Sequence, residues 1–199
     1  PISRPAIAEN TIFKEITDSV GVHYHHEERD YIDFNVQKLL PHKFTQEGPS
    51  IAVGDINGDG IDDMVTGGAA FHSAQIFLQR ADGRFAQKAL LPDSVSKNKL
   101  IDDEGILLFD ADGDGDLDLF IAAGGYQQHH NSTAYRDRLY VNDGKGNFTP
   151  DTTALPVNFT SKFCVRAADY DHDGDLDLFI SGRVDPENYP NPVSSYIYR

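Results

Sequence analysis

Oxygen-bearing side chains recur at every second position in three short stretches of this 199-residue chain. In each stretch, positions 1, 3, 5 and 9 carry Asp or Asn, and position 6 is glycine. The stretches, which we call loops 1, 2 and 3, are residues 55–63, 110–118 and 169–177. Ca²⁺ binds six to eight oxygen atoms at about 2.3–2.6 Å. The spacing therefore predicts three Ca²⁺ sites, one in each loop.

The residues around the loops decide which calcium-binding unit this is. An EF-hand loop starts in the same way, but it needs a bidentate Glu at position 12 and a helix on each side. Position 12 is Thr66, Ile121 or Ile180, so the EF-hand is excluded. Short apolar runs such as residues 51–53 and 64–65 flank each loop. Runs of this length are typical of buried strands, so each loop is predicted to join two strands of a hairpin.

The loops repeat at a spacing typical of β-propeller blades. They start at residues 55, 110 and 169, which lie 55 and 59 residues apart, and kelch blades repeat at about 50 residues. An alternating third strand is predicted in each unit, at residues 75–79, 138–142 and 195–198. A turn and a fourth strand follow in the first two units, at residues 84–88 and 147–149. Four strands per unit make one blade.

At this point the chain resembles a known family. Residues 51–65 are similar to an FG-GAP repeat, as found in integrin alpha-subunit propellers, and residues 138–148 are similar to the outer half of the related VCBS repeats of secreted bacterial proteins. The resemblance covers roughly residues 45–199. It implies Ca²⁺ between the first and second strands of each blade. The side-chain ligands that it implies are Asp55, Asn57, Asp59 and Asp63; Asp110, Asp112, Asp114 and Asp118; and Asp169, Asp171, Asp173 and Asp177. It also implies backbone carbonyl ligands from Ile61, Asp116 and Asp175.

The expected fold is all-β: about three propeller blades, the last of them incomplete, within a larger propeller. A self-contained open array is the alternative. The predicted units are an initial stretch at residues 1–44 and blades at residues 45–92, 93–156 and 157–199. Residues 11–18 are predicted as an outer strand belonging to another blade. That strand could complete the third blade of the same chain or of a second copy. We favour the second copy, so that the chain associates with itself through blade edges.

Composition narrows the function classes. The formal net charge is −15, and fourteen of the 32 acidic residues lie in the three loops. Nucleic-acid binding needs clustered Lys and Arg, so it is not expected. A single cysteine, Cys164, excludes an intrachain disulfide framework. The sequence has no apolar run long enough to cross a membrane. Loops of modest Ca²⁺ affinity fill outside cells, so we expect a secreted or cell-surface protein. The resemblance to VCBS repeats implies that it is of bacterial type.

Two function classes remain open. The favoured one is a non-catalytic module that binds a protein or a glycan. The alternative is a catalytic propeller domain of a glycan-degrading enzyme that uses paired carboxylates. Metal-coordinating carboxylates are poor general acids, which favours the binding module. Histidines at positions 23, 25 and 26 could bind a transition metal, although a solvated loop is the interpretation adopted from the sequence.

Overall fold

The computed structural model of the protein describes residues 11–199, and its regular structure is mostly β-strand. The strands form three antiparallel sheets, called here blades 1, 2 and 3, in which neighbours in sequence are neighbours in space. Blade 1 contains β1 (Ile51–Gly54), β2 (Asp63–Thr66), β3 (Gln75–Gln79) and β4 (Phe85–Ala89). Blade 2 contains β5 (Asp102–Phe109), β6 (Asp118–Gly124), β7 (Arg138–Asn142) and β8 (Phe148–Asp151). Blade 3 contains β9 (Ser161–Ala168), β10 (Asp177–Val184) and β11 (Tyr196–Tyr198). The predicted all-β blade architecture is confirmed.

The blades pack through alternating side chains of their second strands. In β6, Leu119 and Ile121 join a core cluster with residues of blade 1, whereas Phe120 joins another cluster with residues of blade 3. This alternation follows from the period of two in a β-strand, which directs successive side chains to opposite faces. All three residues are fully buried. The loop hairpins are therefore held by apolar contacts on both faces of the central blade.

β5 begins earlier than its apolar run because its first residues are buried charged groups. Asp103 accepts hydrogen bonds from Gly68 N at 2.9 Å and from Arg138 Nη2 at 2.5 Å. Lys99 Nζ lies 2.9 Å from Asp103 Oδ2, the oxygen that also accepts from Gly68 N. Although burial alone would raise its pKa, Lys99 and Arg138 hold the pKa of Asp103 below the ordinary value. A buried charge is tolerated when it is paired in this way, and the hydrogen bond from Gly68 N joins β5 to blade 1.

Short helices, which the sequence did not predict, occupy the connections. They are α1 (Asp33–Val36), α2 (Asp93–Ser96) and a 3-10 helix at Thr133–Tyr135. The buried carboxylate of Asp33 explains the first. Its Oδ2 accepts from Phe44 N at 2.5 Å, and its Oδ1 accepts from Thr45 Oγ1 at 2.6 Å. This closes residues 33–45 into a compact loop.

The prediction of an outer strand at residues 11–18 is wrong. These residues form no strand, and Ile12 and Phe13 are almost fully exposed. The chain instead turns at residues 17–21, where Val20 N donates to Ile16 O at 3.1 Å. Val20 O then accepts one hydrogen bond from Phe85 N on the free edge of β4. A turn satisfies these backbone groups locally, so no strand exchange is needed there.

Residues 22–50, called here the N-terminal segment, cover the ends of the sheets that lie away from the acidic loops. Tyr24 OH donates to Gly67 O at 3.2 Å, and Ser50 Oγ donates to Asp103 O at 2.7 Å. Tyr126 OH donates to Gln37 Oε1 at 2.7 Å. The sheets therefore differ at their two ends: one end carries the acidic loops, and the other is covered by this segment. The division into units at residues 44/45, 92/93 and 156/157 remains a prediction, and residues 1–10 lie outside the described residues.

Candidate metal centres in the acidic loops

Loop 2 brings together the carboxylates that were predicted as metal ligands. Oxygen atoms of Asp110, Asp112 and Asp114 lie within 4.8 Å of one another. In loop 3 the corresponding group consists of Asp169, Asp171 and Asp177. Carboxylates at this separation repel one another unless a cation or protons lie between them. Both groups consist of oxygen donors alone, which suits a hard cation such as Ca²⁺.

The loops are turned by their own carboxylates. Asp110 Oδ1 accepts from Gly113 N at 2.7 Å, and Asp110 Oδ2 accepts from Gly115 N at 3.0 Å. In loop 1, Asp55 Oδ1 and Oδ2 make the equivalent bonds to Gly58 N and Gly60 N, each at 2.8 Å. Asp side chains commonly bond to backbone N–H groups a few residues ahead. Position 1 therefore shapes the loop in addition to its predicted role as a ligand.

Position 4 carries a constraint that the sequence reading missed. Gly113 at position 4 has φ +80°, and Gly115 at position 6 has φ +93°. Loop 3 has His172 at position 4, and its φ is 61°. A side chain in this left-handed region is strained, whereas glycine is not. The pattern of glycine at positions 4 and 6 was visible in loops 1 and 2, and could have identified this second turn.

Position 9 fastens the loop to the rest of the blade. Asp118 Oδ2 accepts from Ala111 N at 2.9 Å, and Asp118 Oδ1 accepts from Asn142 N at 2.8 Å. In loop 1, Asp63 makes the same two bonds, to Ile56 N at 3.1 Å and Gln79 N at 2.7 Å. Burial raises the pKa of Asp118, and the two backbone hydrogen bonds oppose that shift. The carboxylate at position 9 thus joins the loop to the third strand.

The carboxylate at position 7 of loop 2 faces a neighbouring turn. A Cβ atom placed on Gly144 would clash with Asp116 Oδ2. Gly144 has φ +67° and belongs to the turn between β7 and β8. The pKa of Asp116 is raised by desolvation and by the charges of neighbours led by Asp114. The predicted backbone ligation by Ile61, Asp116 and Asp175 remains a prediction.

An arginine contacts loop 3. Arg199 Nη2 lies 2.7 Å from Asp171 Oδ2 and 2.7 Å from Asp173 Oδ2. The hydrogen bond from Arg199 lowers the pKa of Asp173. The guanidinium therefore places a positive charge between Asp171 and Asp173, two of the predicted metal ligands. The sequence reading did not identify this contact, since Arg199 is 26 residues from Asp173 along the chain.

Loop 1 has a less acidic set of predicted ligands. Its position 3 is Asn57, whose Oδ1 accepts from Asp59 N at 3.1 Å. Asp59 Oδ1 in turn accepts from Ile61 N at 2.9 Å. The amide oxygen can ligate a cation, but it adds no negative charge. Loop 1 therefore keeps the shape of the other loops with one carboxylate fewer among the four side-chain ligands.

Strand–acidic loop–strand hairpins in successive antiparallel blades define a β-propeller-like repeat protein. A family model described as an FG-GAP-like repeat matches residues 55–121 and 110–180. These matches span more than half of the chain, so the protein belongs to the FG-GAP-like repeat family. A search among curated proteins finds no match. Within residues 11–199, no helix has the length and the apolar character needed to cross a membrane.

Proposed function

We propose that the protein is an extracellular binding module, stabilised by Ca²⁺ in its three loops, that recognises a protein or a glycan and is not itself catalytic. The observation that carries the calcium part is the convergence of Asp110, Asp112 and Asp114 oxygens within 4.8 Å. Residues 110, 112, 114 and 118 would hold the ion in loop 2, and loops 1 and 3 would use their equivalents. A bound cation offsets the repulsion among these carboxylates and thereby stabilises the fold.

Three features support the binding role. Several carboxylates of the three acidic loops accept hydrogen bonds from backbone N–H groups, so they stabilise the fold. The far end of the blades, under the N-terminal segment, is built of irregular connections, and loops on a rigid scaffold commonly form binding surfaces. FG-GAP-like membership agrees with a β-propeller-like binding module. The extracellular setting follows from the modest Ca²⁺ affinity expected of such loops, which millimolar Ca²⁺ would fill.

One observation favours a catalytic role as the second candidate. Glu47 and Glu104 both line a cavity of about 260 Å³ beside the first strands of the blades. Burial raises the pKa of Glu104 to about 8, which would suit a general acid. Glu47, however, forms an ion pair with Arg183. A carboxylate fixed by an arginine is a weaker base, so the binding module is the better-supported function.

The experiment measures polysaccharide binding and polysaccharide cleavage side by side. The Ca²⁺-loaded chain is incubated with a panel of acidic and neutral polysaccharides; affinity electrophoresis reports binding, and a reducing-end assay reports cleavage. A binding module is expected to be retarded by at least one polysaccharide, or by a protein ligand, without releasing reducing ends. Release of reducing ends that disappears in Glu104→Gln would overturn the non-catalytic proposal and support the second candidate.

Self-association is proposed through blade 3. Phe179 in β10 is 47% exposed and Ile197 in β11 is 58% exposed, whereas Phe120 and Leu139, at the same places in blade 2, are covered by blade 3. The exposed face thus matches one that another blade covers elsewhere in the chain. Light scattering is expected to show a concentration-dependent dimer that Phe179→Asp weakens. A monomer at all concentrations would contradict this.

A further inference from the structure

A cavity of about 570 Å³ lies between two connections at the end of the sheets away from the acidic loops. One connection runs from the end of β4 to the start of β5, and the other is the 3-10 helix with the residues that lead into β7. Pro150 and Thr152, at the end of β8, also line the cavity. Sites for small molecules have volumes of about 300–1,000 Å³, so this size suits a small ligand.

The wall of this cavity is mostly apolar. Leu91 and Leu139 line it, together with Val95 of α2 and Leu100. Val95 is 50% exposed and Leu100 is 42% exposed, so apolar surface that no part of the described chain covers stands at the cavity. Apolar side chains that are exposed together at a concave surface commonly mark a binding site. The body of the ligand is therefore expected to be apolar.

A buried carboxylate in this apolar wall has one oxygen without a partner. Asp137 lines the cavity and is only 4% exposed. Its Oδ1 accepts from Ala123 N at 3.1 Å and lies 3.1 Å from Lys162 Nζ. Its Oδ2 has no hydrogen-bond partner within residues 11–199. A buried acceptor that is left unsatisfied costs free energy, which a ligand with an O–H or N–H donor would recover.

The next residue in the chain supplies a donor that is equally unused. Arg138 also lines the cavity, and its Nη2 pairs with Asp103. Its Nε is buried and has no partner in the described part of the chain. One hydroxyl group can donate to a carboxylate and accept from an N–H at the same time. Because Asp137 is already paired with Lys162, and Arg138 with Asp103, neither side chain calls for a charged ligand.

We propose that this cavity binds a small neutral compound that has an apolar ring and one hydroxyl group. The ring packs against Val95 and Leu100, and the hydroxyl donates to Asp137 Oδ2 and accepts from Arg138 Nε. A saccharide fits less well, because it carries hydroxyls around its ring and would bury several of them unpaired against the apolar wall. The site lies away from the acidic loops and does not depend on the binding of a protein or a glycan.

The test uses thymol as the probe and p-cymene, which is thymol without its hydroxyl, as the matched compound. Ligand-observed NMR titration of the full chain is expected to show saturable binding of thymol. The affinity for p-cymene is expected to be at least about tenfold lower, because p-cymene leaves Asp137 Oδ2 and Arg138 Nε unpaired. Val95→Asp is expected to weaken thymol binding at least about tenfold by placing a charge against the ring. Val157→Asp is the control, since Val157 is an exposed valine that does not line the cavity.

The pair of compounds tests the polar contacts in the wild-type chain, without replacing a buried charged residue on which the fold depends. The proposal is overturned if thymol does not bind, or if p-cymene binds as tightly as thymol. It is equally overturned if Val95→Asp and Val157→Asp change the affinity for thymol to the same extent. Displacement of thymol by a polysaccharide would assign the cavity to a glycan and would likewise overturn the proposal.

Discussion

Asp118 Oδ1 accepts a hydrogen bond from Asn142 N at 2.8 Å, which ties the last ligand position of loop 2 to the end of the third strand of the same blade. The other oxygen of Asp118 accepts from Ala111 N at 2.9 Å. One carboxylate thus joins the loop, the hairpin and the outer half of the blade. Its two hydrogen bonds do not depend on a metal ion, and unlike those of Asp110, which stay within loop 2, one of them reaches the third strand.

Replacing Asp118 should destabilise the protein even in the presence of a chelator. Asp118→Ala leaves the N–H of Ala111 and the buried N–H of Asn142 without this acceptor, at a cost of about 1–3 kcal/mol. The matched variant Asp114→Ala removes an exposed carboxylate and relieves repulsion, so its stability in chelator should stay within about 0.5 kcal/mol of the wild type. Urea unfolding in EDTA measures both. Equal losses of unfolding free energy in the two variants would contradict the structural role assigned to position 9.

Calcium affinity should depend on Asp114 more than on Asp116. Asp114 is a predicted side-chain ligand, whereas Asp116 is predicted to ligate through its backbone carbonyl, which substitution by alanine leaves in place. The carboxylate of Asp116 contributes long-range attraction that is screened over about 8 Å at physiological salt. Calorimetry should show at least about a tenfold loss at loop 2 for Asp114→Ala, and a smaller loss for Asp116→Ala. Equal losses would contradict the assigned register.

Arg199 should compete with the cation of loop 3. Its Nη2 lies 2.7 Å from both Asp171 and Asp173, so it repels an incoming cation and occupies its ligands. Arg199→Gln should strengthen Ca²⁺ binding at loop 3 by no more than about a few-fold, because an exposed ion pair is weak. Arg166→Gln is the control, because Arg166 bonds to the neighbouring Val165 O instead. A weaker or unchanged affinity at loop 3 would argue against competition.

The buried Glu104 should make stability depend on pH. Its Oε1 has no hydrogen-bond partner among the described residues, and burial raises its pKa to about 8. The pKa of an unfolded Glu is about 4.3. Between about pH 4.3 and pH 8 the folded state therefore binds more protons than the unfolded state, and the free energy of unfolding falls as pH rises. Glu104→Gln removes this loss.

The variant is therefore expected to gain roughly 4 kcal/mol relative to the wild type between pH 5 and pH 9, from about three pKa units at about 1.36 kcal/mol each. Unfolding in urea at the two pH values measures the difference. The control is Glu187→Gln, whose parent carboxylate is more exposed and hydrogen-bonds to His129. A difference between Glu104→Gln and wild type that stays constant with pH would show that Glu104 does not titrate with a raised pKa.

Local patterns made the loops and their flanking strands predictable. Alternate Asp residues and short apolar runs lie within a few residues of each other, so β2, β6 and β10 could be placed from the sequence. The start of β5 could not be placed from the sequence, because Asp102 and Asp103 are residue types typical of turns. Only the structure shows that Asp103 pairs with Lys99 and Arg138. Such pairing depends on contacts between distant residues, as does the contact of Arg199 with loop 3.

The failed strand at residues 11–18 has a similar cause. Ile12, Phe13 and Ile16 resemble an outer strand by their apolar character, but a strand needs a neighbouring edge with which to pair. On that edge, Phe85 N donates one hydrogen bond to Val20 O, after the chain has already turned. The apolar pattern alone therefore could not distinguish a strand from a turn, whereas in β3 and β7 the same pattern has a partner on each side.

The number of Ca²⁺ ions per chain tests the central claim most directly. Calorimetric titration of the chelator-treated chain should give three sites, and Ca²⁺ should raise the melting temperature beyond what an equal ionic strength of NaCl achieves. The triple variant Asp59→Ala, Asp114→Ala and Asp173→Ala should keep its fold and lose all three sites. No heat of binding in the wild type, or a melting temperature indifferent to chelator, would contradict the account.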